Sequence, residues 1–296
     1  MKITVPKRFA KDTITREGEI GRKWIEELPA RIESICHQWQ LIVDGAVMSG
    51  YTGLAIPVRR NNEAYVLKVY CRDIETDTAP FALKIWNGRG AVKVMAHEPE
   101  HGAVLLEKLD PKKSLERIEI GKAISIAGQL LRRLAIPAPR NMRSLRNMSA
   151  NVIAAMQQRW DQYGCPFPRR LLDEACEWAD QLGSKSQYLM TDYDLHYTDI
   201  LAGEREPWLM IDPKAIAGDP EFSLAQLMWS RLEEIELDKG IEYHFRALVE
   251  AADLNYCMAR MWTIVRCVDY WLWGLTVGLT NDPVRCSKII TCLRQI

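Results

Sequence analysis

The stretch Tyr188-Leu-Met-Thr-Asp-Tyr-Asp-Leu-His-Tyr-Thr-Asp-Ile-Leu201 runs apolar residues into Asp192, Asp194, His196 and Asp199. After the turn Ala202-Gly-Glu-Arg-Glu-Pro207, a second apolar run, Trp208-Leu-Met-Ile, delivers Asp212 and Lys214. Carboxylates at the ends of two short strands suit a hard divalent cation. Mg2+ takes oxygen ligands, keeps several waters, and is held by one or two carboxylates together with substrate phosphates. Two chemistries use such a site. In phosphoryl transfer the protein positions the groups and neutralises charge, with one Asp receiving the acceptor's proton. In an aspartyl-phosphate hydrolase, an apolar strand ending in D-x-D, here Asp192 and Asp194, supplies a nucleophile and an acid.

The elements that must carry these residues separate the two. A D-x-D hydrolase needs a parallel, doubly wound sheet, and no β-α-β alternation surrounds the motif. The first half reads instead as a helical entry followed by an antiparallel meander. Ile25, Leu28, Ile32, Ile35 and Trp39 fall at helical spacing within Gly21–Gln40, and Pro29 predicts a break into two helices. Short β-rich runs follow at 41–43, 54–58 and 64–70, then a helical stripe within 72–86 and two more strands at 91–95 and 103–107. That makes five strands with one inserted helix, ending at the hinge Glu107-Lys-Leu-Asp-Pro111. From Ser114 onward the pattern is helical: 118–134, 151–163, 171–182, 222–236, 243–259 and 260–274. The carboxylate stretch interrupts that half.

Within the meander, Met48-Ser-Gly-Tyr-Thr-Gly53 puts small residues where a backbone could approach phosphate oxygens, though it matches neither a Walker sequence nor a full G-x-G-x-x-G. Lys68 lies between Leu67 and Val69 in the third strand. Two readings stay open for it: a lysine on a solvated face, or one beneath the preceding turn that neutralises nucleotide phosphates. The second needs a helix acid as partner, for which Glu75 and Asp77 are available. His97 and His101 flank a Pro/Gly turn with nothing nearby to complete a metal ligand set. Glu233, Glu234, Glu236 and Asp238 form either a solvated face or an acidic wall for a polycationic substrate.

Composition narrows the class. Lys plus Arg number 39 and Asp plus Glu 39, so no bulk field favours nucleic acid or an anionic membrane. Eight scattered cysteines without C-x-x-C spacing read as reduced thiols of a cytoplasmic protein. The N-terminus lacks an apolar signal segment. Met261–Leu279 is the most apolar stretch, yet Arg266 and Asp269 in its middle mark a buried helix rather than a membrane span.

Four ordered segments carry a family resemblance: Ala82-Leu-Lys-Ile-Trp-Asn-Gly-Arg-Gly-Ala-Val92, Val104-Leu-Leu-Glu-Lys-Leu-Asp110, Asp194-Leu-His-Tyr-Thr-Asp199, and Leu209-Met-Ile-Asp-Pro-Lys-Ala-Ile-Ala-Gly-Asp-Pro220. They resemble the aminoglycoside 6-phosphotransferases, the streptomycin-kinase and hydroxyurea-phosphotransferase group, from about Gly21 to Arg231. The resemblance implies an α+β, protein-kinase-like bilobal fold, with a small antiparallel N-terminal nucleotide lobe over 1–109 and a mostly helical lobe over 110–296. It implies transfer of the γ-phosphoryl group of ATP, or another NTP, to a hydroxyl of a small molecule, a cationic aminoglycoside being the leading acceptor. By position, Asp194 is the catalytic base, and Asp212 and Asp199 hold Mg2+. Lys68 contacts the α- and β-phosphates, and Ser49, Gly50, Tyr51, Thr52 and Gly53 cover them. Glu107, Lys108 and Leu109 face adenine with their backbone, while His196 and Lys214 assist around the phosphates. Three positions depart from the family pattern. Asp192 stands where His or Trp is usual, Asp199 replaces an asparagine, and Ala79 aligns with the helix glutamate, with Glu75 one turn earlier as a substitute. They motivate a rival expectation, a kinase fold that binds nucleotide or a partner without catalysis. Oligomeric state is not legible.

Overall fold

The computed structural model describes residues 3–72 and 74–295, and the side chains of 74–77 lie outside that description. The acids expected to partner Lys68, Glu75 and Asp77, therefore fall outside the described residues. The chain forms two compact units. One runs to Asp110 and also contains Gly203–Pro207; the other holds Pro111–Ala202 and Trp208 onward.

The first unit opens with α1 (Lys7–Gln38), which is interrupted by Gly18 at φ 60°, ψ −132°. In a straight helix Phe9 and Trp24 would stand about 22 Å apart at 1.5 Å per residue. Their ring centroids are 5.9 Å apart, edge to face, so the chain doubles back at Gly18. Close approach continues at Gly21, where a Cβ would meet the Thr13 carbonyl oxygen at 2.8 Å. The expected break at Pro29 is not there. Leu28, Ile32 and Ile35 are fully buried around it, and that packing holds the helix through the proline.

Six strands follow in antiparallel array: β1 (Ile42–Val43), β2 (Met48–Ser49), β3 (Gly53–Arg60), β4 (Glu63–Tyr70), β5 (Val94–Glu98) and β6 (Ala103–Glu107), with α2 (Ile74–Trp86) between β4 and β5. Their order is β1-β3-β4-β6-β5, and β2 pairs with β3. The sixth strand, β2, lies inside what reads in sequence as a Ser/Gly connection. Strand β5 starts three residues later than expected, because Lys93 is held by Glu107 through both its N–H and its carbonyl. Period-two alternation sends Leu54, Ile56, Leu67, Val69 and Leu105 into one core with α1. The opposite face carries the cross-strand row Ala55, Lys68 and Val104.

Strand β7 (Asp110–Ser114) leads into the second unit, which continues with α3 (Ile120–Leu134), α4 (Leu145–Gln162) and α5 (Arg169–Lys185). Four short strands come next: β8 (Leu189–Asp192), β9 (Ile200–Ala202), β10 (Leu209–Met210) and β11 (Ala215–Gly218). The remainder is α6 (Leu224–Ser230), α7 (Leu232–Asp238), α8 (Ile241–Ala252), α9 (Tyr256–Thr276) and α10 (Asn281–Gln295). The single helix expected over 222–236 splits at Arg231 (φ −130°, ψ 39°), whose buried guanidinium donates to the Leu115 carbonyl at 3.0 Å. The next boundary lies at 253–255 rather than 259–260. Asp253 is left-handed there and the Asn255 side chain accepts the Met258 N–H at 3.0 Å. Helix α10 has no counterpart among the sequence expectations; its Cys286, Ile289, Ile290 and Leu293 are buried. Among the described residues, no helix is long and apolar enough to cross a membrane.

Candidate active site

The carboxylate stretch is built from two nested strand pairs. Strand β8 pairs antiparallel with β11, Asp192 facing Ala215, while β9 pairs with β10 inside them. The two apolar runs of the sequence are thus not partners; each pairs with a strand too short to read. Nesting leaves two loops side by side, 193–199 and 211–214. They are joined where Ile211 N–H donates to the Asp199 carbonyl at 2.7 Å and Tyr193 N–H to the Lys214 carbonyl at 3.2 Å.

Asp194, His196 and Lys214 come together there. Lys214 Nζ lies 2.9 Å from one Asp194 oxygen and His196 Nε2 lies 3.4 Å from the other. Burial pushes the Asp194 carboxyl up, but hydrogen bonding and charge from His196 and Lys214 outweigh it and hold it down at about 2. His196 is displaced the other way. Burial opposes its protonation, and the Asp194 carboxylate overcomes that to raise its pKa. The amide nitrogen of the buried Gln226 lies 3.0 Å from both His196 ring nitrogens. Asp194 is therefore an ionised, oriented acceptor.

Asp192 differs in kind. It is 2% exposed, and one of its oxygens accepts the N–H groups of Asp194 at 3.1 Å and Lys214 at 3.0 Å. It ties the two loops together. Burial pushes its carboxyl up to about 7, with the charges of Asp194 and Asp199 adding to the rise against those two N–H donors. A buried carboxyl committed to backbone donors cannot act as a nucleophile, which removes the D-x-D hydrolase chemistry.

Asp199 ends a single 3-10 turn, with Thr198 Oγ1 at 3.5 Å from its carboxylate. Asp212 is exposed and sits at φ 52°, a left-handed conformation uncommon for a residue with a side chain. Such backbone strain gathers where a side chain must be aimed. Among the described residues, no group of three or more His, Cys, Asp or Glu could enclose a metal. Two carboxylates completed by phosphates and water suit Mg2+ and not a structural cation. His97 is instead engaged with the Tyr70 hydroxyl at 3.3 Å and Lys84 at 3.0 Å.

In the first unit, Ser49–Gly53 closes the hairpin between β2 and β3, with Gly50 N–H donating to the Gly53 carbonyl at 2.9 Å. Gly53 is sterically required, since a Cβ there would lie 2.5 Å from the Val69 carbonyl oxygen. Tyr51 of this turn is covered by the Arg16 guanidinium at 4.3 Å. Lys68 is half-buried in β4, between the small Ala55 and Val104. Glu107 N–H donates to the Lys93 carbonyl at 3.0 Å, so that N–H, one of the backbone groups expected to face adenine, is already engaged. Ala79 is buried and brings no charge.

A cavity of about 250 Å3 opens beside the 193–199 loop in the second unit, lined among others by Glu116, His196, Trp229, Tyr270, Asp282 and Arg285, the last two paired at 3.1 Å. Trp229 and Tyr270 stack at 4.4 Å and 5°, and the Tyr270 hydroxyl donates to Asp282 at 3.3 Å. Apart from His196 these residues carry no sequence signal, since they come from separate elements far apart in the chain. Arg266 was legible only as a charge inside an apolar helix. It donates to the Tyr193 carbonyl at 3.0 Å and lies 4.8 Å over the Phe222 ring, so it supports the 193–199 loop from behind. The acidic wall does not exist. Glu233 pairs with Arg285, Glu234 with Arg231, Glu236 with Lys288 and Asp238 with His244.

A six-stranded antiparallel sheet bearing a lysine, and a helical unit bearing an Asp-x-His loop beside a carboxylate hairpin, define a small-molecule kinase of the protein-kinase-like fold. Solved structures agree in fold. An aminoglycoside phosphotransferase in ternary complex with AMP-PNP and hygromycin B superposes with a TM-score of 0.63 at 14% identity, covering 88% of this chain and 97% of that one. The choline kinase LicA from Streptococcus pneumoniae gives 0.59 at 13% identity, over 89% and 97%. The chain belongs to the aminoglycoside/hydroxyurea antibiotic resistance kinase family, whose model matches residues 38–278. It is 34% identical to a streptomycin 6-kinase of Streptomyces glaucescens over 93% of this chain and 92% of that one. It is 32% identical to a hydroxyurea phosphotransferase of Kitasatospora aureofaciens over 96% and 84%. The chain is thus a nucleotide-using phosphotransferase acting on a hydroxyl group.

Proposed function

We propose that this protein transfers the γ-phosphoryl group of ATP, or another NTP, to a hydroxyl of an aminoglycoside such as streptomycin, inactivating it, and that the reaction requires Mg2+. The observation that carries the reading is the oriented, ionised Asp194 beside a cavity lined by carboxylates and stacked aromatic rings. Asp282 is paired with Arg285 of the same lining, so it is the stacked aromatic faces that favour a cationic acceptor. Asp194 orients the acceptor hydroxyl and receives its proton as the oxygen–phosphorus bond forms and the bond to the β-phosphate oxygen breaks. A carboxylate held near pH 2 is a weak base in the ground state, so alignment is its larger contribution and proton transfer follows bond formation. Lys214 and Lys68 offset phosphate charge, the turn 49–53 covers the phosphates, and the backbone at 108 and 109 receives the base. Asp199 and Asp212 would hold Mg2+, which when bound neutralises charge on the phosphate oxygens. In this reading residues through Leu109 form the nucleotide lobe and those from Asp110 the catalytic and acceptor lobe. A need for ATP and eight free thiols support a cytoplasmic setting.

Asp194→Ala, assayed with purified enzyme for phosphate transfer across aminoglycosides and hydroxyurea, should lose about 10²–10⁴-fold in kcat. Equal trace turnover by wild type and variant with every acceptor would remove Asp194 from the role. A non-catalytic nucleotide binder is favoured by one observation, the uncharged Ala79 at the helix-glutamate position. Calorimetry showing ATP binding that is indifferent to Mg2+, with no transfer, would select it.

A further inference from the structure

The turn Ala202-Gly-Glu-Arg-Glu-Pro207 reads in sequence as a plain connection between two strands. Its tip, Gly203–Pro207, belongs to the nucleotide unit, and Arg205 is the reason. The Arg205 guanidinium uses all three nitrogens. Nε donates to Glu107 Oε2 at 3.2 Å and Nη2 to Glu107 Oε1 at 2.7 Å, a two-point fork on one carboxylate. Nη2 also donates to the Ala91 carbonyl at 3.0 Å. Nη1 donates to the Gly88 carbonyl at 2.5 Å and to Glu206 at 3.0 Å. The fit is reciprocal. Gly88 is left-handed (φ 85°), and a Cβ there would lie 3.2 Å from the Arg205 guanidinium carbon. Glu107 in turn receives the Lys93 N–H at 2.7 Å.

One side chain therefore collects the end of α2, the start of the run into β5, and the end of β6. That last point immediately precedes Lys108 and Leu109, whose backbone is assigned above to the nucleotide base. We infer that Arg205 is a positioning residue for nucleotide binding, which fixes the strand end at 107–109 through Glu107 without touching the ligand. The inference rests on the kinase reading. Its physical basis is that a bidentate, charge-assisted pair holds direction as well as distance. Without it, only the Lys93 N–H would hold the Glu107 carboxylate, and the looser 107–109 backbone would have to be ordered by the nucleotide itself, at the expense of affinity.

The test uses the full chain with ADP and Mg-ATP as probes. Arg205→Ala should raise the Kd for ADP and the KM for ATP about tenfold, a loss in line with breaking a charge-assisted pair. The acceptor KM and kcat should stay within about twofold of wild type, a split that general destabilisation would not produce. Arg205→Lys should not restore affinity, since an ammonium cannot fork across the carboxylate and reach two carbonyls. If Arg205→Ala does not fold, Glu107→Gln keeps size and one acceptor oxygen and should weaken ADP binding about threefold. Wild-type nucleotide affinity in whichever of these two variants folds overturns the inference while leaving the kinase reading intact. Equal losses toward nucleotide and acceptor overturn it as well. A wild-type protein that binds no nucleotide overturns both.

Discussion

Replacing Asp192 by asparagine should change stability in a way that depends on pH. Asp192 is buried at the end of β8 and its carboxyl is pushed up to about 7, mainly by burial. In the unfolded chain the same group titrates near 3.9. The folded pKa is the higher one, so the folded state binds the proton more tightly. The stability tied to that proton is fully present below about pH 4 and is lost as pH rises to about 7. At 1.36 kcal/mol per unit, the difference of about three units amounts to at most ~4 kcal/mol by pH 8. Asparagine keeps an acceptor oxygen for the N–H groups of Asp194 and Lys214 and cannot ionise. Asp192→Asn should therefore match wild type to within about 1 kcal/mol at pH 4.5 and exceed it increasingly toward pH 8. At roughly 2–4 °C per kcal/mol for a chain of this length, the gap in Tm should reach several degrees. The assay is thermal or urea unfolding across pH 4.5–8 with chelator present, so that no cation offsets the carboxylates. A gap that stays constant with pH, or a wild type that gains on the variant toward pH 8, would refute the reasoning.

Two further outcomes follow from the folding of each unit. Gly18→Ala has space for its methyl group, since nothing lies within 4 Å of that Cβ, and pays only for φ 60°, ψ −132°. It should destabilise by about 1–3 kcal/mol in urea unfolding, and a change under about 0.5 kcal/mol would mean that the helical hairpin does not depend on that turn. His244 is fully buried with Nε2 3.0 Å from Asp238 and Nδ1 unpartnered. Burial lowers its pKa against the pull of Asp238, so the unfolded chain takes up the proton first as pH falls. Its contribution is present above about pH 6.5 and lost below it. His244→Gln should flatten the fall in urea midpoint between pH 7 and pH 5, and parallel curves for the two proteins would contradict this.

Much of this protein is determined by its sequence alone. The period-two runs at 54–58, 64–70 and 103–107 fall on β3, β4 and β6, and the amphipathic stripes at 118–134 and 171–182 on α3 and α5, because alternation and helical spacing are local properties. The same stretch of sequence also singled out Asp194, His196 and Lys214, which the structure brings into contact. Tertiary structure decided what short segments do. Strands β2, β9 and β11 are two to four residues long and exist only through their partners. Gly18, not Pro29, breaks the first helix, because buried neighbours override a local penalty whereas φ 60° combined with ψ −132° favours a glycine. Burial decided that Asp192 is a tie between two loops and not a nucleophile. Pairing decided that Glu233, Glu234 and Glu236 are neutralised, since their partners come from α10 and the residue preceding α7, while Asp238 is hydrogen-bonded to His244 of α8. The cavity wall and the Arg205 fork were hidden for the same reason. Their residues lie far apart in the chain and share no period, so only folding places them in contact.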